Sequence, residues 1–381
     1  MNFKTIYLVV LSIAVFAMAS TACDVLGGGG TYKIGLLSPQ TGPIAVYAPG
    51  FEDAANVAID ELNDNEDGNV FELVVADSGC DGTQAATAAQ TLIDSGVVGI
   101  VGAACSGATL GAIAVASEAG IPMVSYASTS PAVTTASDNG YLFRVVPSDA
   151  QQAVALTAVV ADGGDSNPAV LYMTNDYGSG LADNFAANWS GAVCTTNAYD
   201  PTEGSYDAST IAQSVIDAGC DSAVLVSYAT DGAAIVEALK GQGFGGTIYG
   251  ADGIADAAFV SAFTDAAAVS GIIATKPRPG AESSAQSTFN SAYSAAGGDA
   301  EGIYTHETYD AIKIVAHAAA EGSDDIRDDL ASVGSNYDGA SGVHTFDSNG
   351  DVAGTGYEIC QFDPAFTCTR IWTGDGGIAN Q

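Results

Sequence analysis

Residues 31–77 read TYKIGLLSPQTGPIAVYAPGFEDAANVAIDELNDNEDGNVFELVVAD, and the pattern in this stretch repeats through most of the chain. Tyr32 to Leu37 is a short apolar run of strand length. Phe51 to Leu62 then sets Ala54, Val57, Ala58 and Leu62 at helical spacing. Phe71 to Ala76 is a second strand. Both strands are continuous apolar runs, which suits a parallel sheet covered by helices on both faces.

The alternation continues outward. Gln84 to Ile93 reads as a helix, Val97 to Gly102 as a strand, and a helix follows from about Ala108. After Arg144 the beat restarts with helix Ala150 to Val160, strand Ala169 to Met173 and helix Gly180 to Trp189. Strand Ala192 to Ala198, helix Ser209 to Ala218, strand Ser222 to Ser227 and helix Gly232 to Lys240 complete it. The expected fold class is therefore α/β, with two doubly wound parallel-sheet lobes. Beyond Thr275 the chain reads as helices Ser284 to Ala295 and Tyr304 to Ala320, then turn-rich strands around Val343 to Phe346 and Tyr357 to Ile371. Asp347 to Asp351 (DSNGD) reads as a hairpin turn, without the acid that closes a calcium loop.

The first residues point to export. Lys4 supplies a basic start, Ile6 to Ala17 is an apolar run of secretory length, and Ala19, Ser20, Thr21 and Ala22 precede Cys23. Residues 1–22 are expected to be a signal peptide. Either a general peptidase cuts after Ala22, or a lipoprotein peptidase does so and leaves Cys23 lipidated. The glycines of Gly27 to Gly30, within a tether over 23–31, favour the lipidated form, since a lipid-held domain needs a flexible stalk. No later segment is apolar enough to span a bilayer, so the expected location is the periplasm or the outer face of the cytoplasmic membrane.

Roughly 350 residues remain after the leader, which suits two domains. The chain holds 9 Lys and Arg against 45 Asp and Glu, a net charge of −36, and loss of Lys4 makes it more negative. Nucleic acid and anionic membrane surfaces are excluded as partners by such a charge. Apart from Cys23, six cysteines are left, an even set that reads as disulfides in an oxidising compartment. Six cysteines allow many connectivities. Placement along the chain favours Cys80 with Cys105, Cys194 with Cys220, and Cys360 with Cys368.

Catalytic groups are scarce. His306 and His317 would share a helix face but stand roughly 16 Å apart, too far to ligate one metal. The remaining histidine is His344. HExxH, P-loop and GxSxG patterns are missing. Gly163 to Asn167 (GGDSN) is a polar turn, and Asn188-Trp189-Ser190 is a glycosylation sequon whose use depends on the source. The expectation is a binding protein, not an enzyme, without metal or cofactor.

In open α/β sheets ligands lie beyond the carboxyl ends of strands. Four loops occupy such places. In Ala103 to Gly107, Ser106 could cap the next helix or donate its hydroxyl to a ligand carboxylate beside the helix N-terminus. Ser125 to Pro131 is rich in small hydroxyl residues. In Asn175 to Gly178, Tyr177 could pack a ligand or cover a helix. In Gly250 to Gly253, Asp252 could cap a helix or bind an ammonium group.

Five segments, TGPIAVYAPGFEDAANVAIDELN (41–63), VVADSGCDGTQAATAAQTLI (74–93), VGAACSGATLGAIAVASEAGIPMVSYASTSPAVT (101–134), NDYGSGLA (175–182) and YGADGIAD (249–256), resemble the leucine/isoleucine/valine-binding proteins in order and spacing. Those are type I periplasmic binding proteins that deliver amino acids to ABC transporters, and the resemblance runs from residue 32 to about 370. It implies lobe 1 over 32–146 and 275–344, lobe 2 over 147–274 and 345–381, and three hinge crossings near residues 146, 275 and 344.

The resemblance also implies a ligand set. Ser106 and Thr129 would hold the ligand's α-carboxylate, and Ala127 would offer its carbonyl to the α-ammonium. Asp252 would pair with the ammonium, one methylene shorter than the family's usual Glu. Tyr47, Ala104, Tyr177, Tyr228 and Tyr304 would form the pocket wall. The implied partners are an amino acid, a branched-chain or other aliphatic one first, and an ABC permease, with the protein a monomer. So many tyrosines, with His306 and Glu307 beside Tyr304, leave room for a polar or larger amino acid. An amide, urea or small organic acid, or a sensory role, is the alternative that the same fold allows.

Overall fold

The computed structural model describes residues 29–64, 68–202, 204–299, 302–323, 325–363, 365–375 and 377–381. The leader, Cys23 and most of the tether lie outside the described residues.

The first lobe opens with β1 (Thr31–Ser38), α1 (Ala48–Asn63), β2 (Val70–Asp77), α2 (Gly82–Asp94), β3 (Gly99–Val101) and α3 (Ser106–Glu118). It continues with β4 (Met123–Ser125), the short α4 (Pro131–Thr134) and β5 (Leu142–Arg144). The five strands form one parallel sheet in the order β2-β1-β3-β4-β5. Ile34, Leu36 and Leu37 are wholly buried, as the continuous apolar run requires of a strand with helices on both faces. Helices α2 and α3 touch at glycines. A Cβ on Gly111 would stand 2.1 Å from the Gly82 carbonyl oxygen, so only glycine allows this approach.

The second lobe is built from α5 (Asp149–Asp162), β6 (Pro168–Met173), α6 (Asp176–Asn188), β7 (Thr195–Tyr199) and α7 (Ala208–Ala218). Strand β8 (Ser222–Val226), α8 (Ala229–Gly241), β9 (Thr247–Gly250), α9 (Ala257–Ser261) and β10 (Ile273–Pro277) follow. The chain then returns to the first lobe with α10 (Ser284–Ala295), α11 (Thr305–Glu321), which packs on α1 and β3, α12 (Ile326–Val333), and the hairpin β11 (Ser335–Asp338) and β12 (Val343–Thr345). It ends in β13 (Tyr357–Asp363), β14 (Ala365–Trp372) and β15 (Ile378–Asn380).

The two expected doubly wound lobes are present, and the second carries an addition. Its eight-stranded sheet runs β15-β14-β13-β10-β9-β8-β6-β7, parallel from β10 to β7 but antiparallel across β10, β13, β14 and β15. The stretch expected as strand over Tyr357 to Ile371 is thus two strands. Asp363 pairs with Ala365, and so short a link cannot make the crossover that a parallel pair needs.

Disulfides join Cys80 to Cys105, Cys194 to Cys220 and Cys360 to Cys368. The first ties the loop after β2 to the N-terminus of α3. The chain passes between the sheets along residues 145–148, 278–283 and 346–356. These connections lie side by side, with the Arg278 N–H donating to Gly356 O at 3.0 Å and the Gly280 N–H to Ser341 O at 2.9 Å. Asp347 to Asp351 is a turn, as read from sequence, and it has a second use. Gly350 O accepts from the Arg144 N–H, so the turn covers the open edge of β5.

Candidate functional site

The carboxyl ends of β3, β4, β6, β8 and β9 face one another across the gap between the lobes. The loop after β3 is held by hydroxyls from its neighbours. Ser125 Oγ donates to Ala103 O at 2.8 Å, Ser128 Oγ donates to the same oxygen at 2.9 Å, and Thr109 Oγ1 accepts from the Ala103 N–H at 2.9 Å. Arg144, wholly buried, reaches the next loop from behind. Its Nη1 donates to Ser128 O and Ser130 O at 3.1 and 3.0 Å, and its Nε pairs with Asp351 at 2.7 Å.

This framework delivers Ser106 to the cleft as the first residue of α3. Cys105 occupies the cap position and makes no side-chain cap bond. Ser106 Oγ accepts from the Ser130 N–H at 3.2 Å. The Ser106 proton is therefore left to be donated, next to helix N–H groups that have no intrahelical acceptor. Ser130 Oγ in turn donates to Asp176 O at 2.8 Å, across to the second lobe.

Opposite stands Asp252, in a 3₁₀ turn after β9 and 4 % exposed. Its Oδ1 accepts from Tyr177 OH at 2.8 Å and its Oδ2 from Tyr304 OH at 2.7 Å. Burial raises the Asp252 carboxyl above its ordinary range, and the two tyrosine hydrogen bonds oppose that rise. Tyr304 adopts a left-handed backbone (φ 59°) where the chain turns into α11. Tyr228 lies flat on Tyr177, with ring centroids 5.6 Å apart and planes 5° off parallel.

A cavity of ≈ 40 Å³ sits among these groups. Tyr47, Ala104, Ser106, Ala127, Tyr177, Tyr228, Asp252 and Tyr304 all line it. Thr129 does not. It is buried beside the cavity, and its hydroxyl and both Asp149 carboxylate oxygens lack a well-formed hydrogen bond. Ile44, Phe51, Gly253 and Ile303 complete the lining. Sequence reading passed over the apolar ones because such residues, in turns or on a helix, look the same whether they face a ligand or a core.

Asp149 is the acid that sequence reading missed. It is wholly buried, and its carboxyl is raised well above its ordinary value, first by burial and then by Asp252. Ser148-Asp149 followed by Gln151 and Gln152 reads as an ordinary helix start, and Ser148 does cap α5.

The other singled-out groups lie away from this cavity. His306 Nε2 is 2.7 Å from Asn290 Oδ1. His344 meets Ser341 and Asp310 in a buried cluster that resembles a hydrolase triad only in composition. Its Nε2 faces both partners, at 2.9 and 3.1 Å, and Ser341 donates straight to Asp310 at 2.6 Å. A triad needs the two ring nitrogens on different partners. With Ala340 and Ser341 N–H groups also on Asp310, the cluster pins the β11–β12 hairpin to α11.

Residues 31–366 match the family model described as periplasmic binding protein. This chain belongs to that family. The leucine-, isoleucine-, valine-, threonine-, and alanine-binding protein of Pseudomonas aeruginosa is 25% identical over 369 residues, covering 95% of this periplasmic binding protein and 96% of the relative. The substrate binding protein LivJ of a branched-chain amino acid transporter from Streptococcus pneumoniae, solved with isoleucine, is 26% identical with a TM-score of 0.79, over 89% of this chain and 99% of that one. A solute binding protein from R. palustris in complex with 4-hydroxybenzoate shares the fold at 18% identity and a TM-score of 0.77, over 92% and 95% of the two chains. The resemblance read from sequence therefore holds. Among the described residues no helix is long and apolar enough to cross a membrane.

Proposed function

We propose that this protein is exported, closes its two lobes on an amino acid and presents it unchanged to an ABC permease. The observation that carries this reading is one cavity lined from both lobes, with a free hydroxyl at a helix N-terminus on one side and a buried acid on the other. A zwitterion leaving water needs both charges met, because an unpaired buried charge costs several kcal/mol.

In this reading Ser106 holds the α-carboxylate, joined by the Thr129 hydroxyl, which lacks a well-formed hydrogen bond and turns in from outside the cavity wall. Ala127 O and Asp252 hold the ammonium. Tyr47, Ala104, Tyr177, Tyr228 and Tyr304 enclose the side chain, and the relatives' names favour a branched-chain or other aliphatic one. The three side-by-side connections act as the hinge. The protein works as a monomer without a cofactor, in the periplasm or on the outer face of the cytoplasmic membrane, held there by a lipid if Cys23 is modified.

The direct test is Asp252→Asn, titrated with leucine by calorimetry. Affinity should fall by about a hundredfold or more, since the ammonium loses its charged partner. Unchanged binding would remove Asp252 from the site. A second reading, an amide, urea or small organic acid as ligand, draws on the fact that tyrosine hydroxyls already satisfy both Asp252 oxygens. A thermal-shift screen across these classes separates the two, because a bound ligand raises the unfolding temperature by mass action.

A further inference from the structure

Ile303 and Tyr304 line the ligand cavity on one face and a second, larger cavity of ≈ 150 Å³ on the other. The second one is polar, with Gln286, Asn290, His306, Glu307, Lys276 and Glu358 in its wall. Its charges do not balance. Lys276 Nζ is spent on Glu358 at 3.5 Å and lies over the Phe366 ring. His306 is committed to Asn290, and burial lowers its pKa to about 4, so it is neutral near pH 7. Among the described residues no ion pair reaches the Glu307 side chain, and no other side chain hydrogen-bonds it. Burial raises its pKa to about 7, a hydrogen bond from its own backbone N–H opposes the rise, Asp310 adds to it, and His344 and Lys276 oppose it. Asp310 is itself occupied by the Ser341 hydroxyl, two backbone N–H groups and His344. One acid thus remains without an ion-pair partner in a polar cavity that shares Ile303 and Tyr304 with the ligand pocket.

We propose that this cavity is the distal part of the ligand site and takes a protonated amine at the end of an amino-acid side chain, paired by Glu307. Leucine fills only the near cavity, whereas a lysine-length chain passes Ile303 and Tyr304 into the far one. The proposal rests on the amino-acid reading and widens it beyond aliphatic ligands.

Calorimetric titration of the purified protein with lysine and with leucine tests it, using the wild type, Glu307→Gln and Glu307→Ala. Thermal unfolding of each variant serves as the check on folding. Lysine should bind the wild type, and both substitutions should lower the lysine-to-leucine affinity ratio by at least about tenfold. An unchanged ratio, or leucine binding with no lysine binding, overturns the distal site while leaving the amino-acid reading intact. Failure of both ligands to bind the wild type overturns that reading and the distal site with it.

Discussion

Asp252 is bonded by two tyrosines that come from different lobes, Tyr177 on α6 and Tyr304 at the start of α11. The cleft therefore closes around an acid already screened by hydroxyls, and the Tyr304 contact that helps to orient it also joins the lobes. Glu307 has no such partners, and this has a consequence for stability. Its native pKa is raised from an ordinary value of 4.5 to about 7, so between those pH values the folded state holds a proton that the unfolded state has lost. The contribution of Glu307 to stability should fall as pH rises through that window, by up to about 1.4 kcal/mol per pH unit. Denaturant titrations from pH 4.5 to 7 should show Glu307→Gln losing less stability than the wild type. Parallel curves for the two proteins would mean that Glu307 titrates normally.

The loops that carry Ser106 and Thr129 owe their shape to what lies behind them. Arg144, on β5, holds two carbonyls of the Ser128 to Ser130 loop while Asp351, in the turn that covers β5, balances its charge. A buried pair of this kind is costly to break from one side, because the remaining charge stays buried. Asp351→Asn should destabilise the protein by about 3 kcal/mol, read as a lower denaturation midpoint. It should also weaken ligand binding, although residue 351 lies outside the cavity. Wild-type stability in the variant would show that Arg144 is held by its carbonyl partners alone.

The molecule as a whole carries a net charge of −36, and most of the acids among the described residues are exposed. Like charges repel at long range in dilute buffer, and that repulsion weighs against the compact state. Raising salt from about 0.1 to about 1 M shortens the screening length from about 10 to about 3 Å, so the unfolding temperature should rise over that range. A constant or falling unfolding temperature would show that the acids are already paired or spaced beyond reach of one another. The two lobes add a second property at this level. Residues 145–148, 278–283 and 346–356 are the connections that any opening must bend. Pro279 lines the ≈ 150 Å³ cavity with Glu307, and all three connections line a separate cavity of ≈ 30 Å³ that Glu307 also borders.

Several features could be read without coordinates because they are local or periodic. Apolar runs of strand length alternating with helical spacing specify two doubly wound lobes, since each period suits one backbone geometry. Asp252 and Ser106 were identifiable because each follows a strand at its carboxyl end, where an α/β sheet opens to solvent. What tertiary structure alone decided concerns contacts between distant segments. The antiparallel pairing of β13 with β10, the Arg144–Asp351 pin and the approach of Asp149 to Asp252 join residues far apart in the chain, and no local pattern encodes them. The same holds for Ile44, Phe51 and Ile303, since their apolar side chains satisfy a core as well as a ligand. Whether Ser106 caps a helix or faces the cleft was likewise a question of fold. The cap position fell to Cys105, and the Ser130 N–H took one Ser106 lone pair, leaving the serine proton free for a ligand.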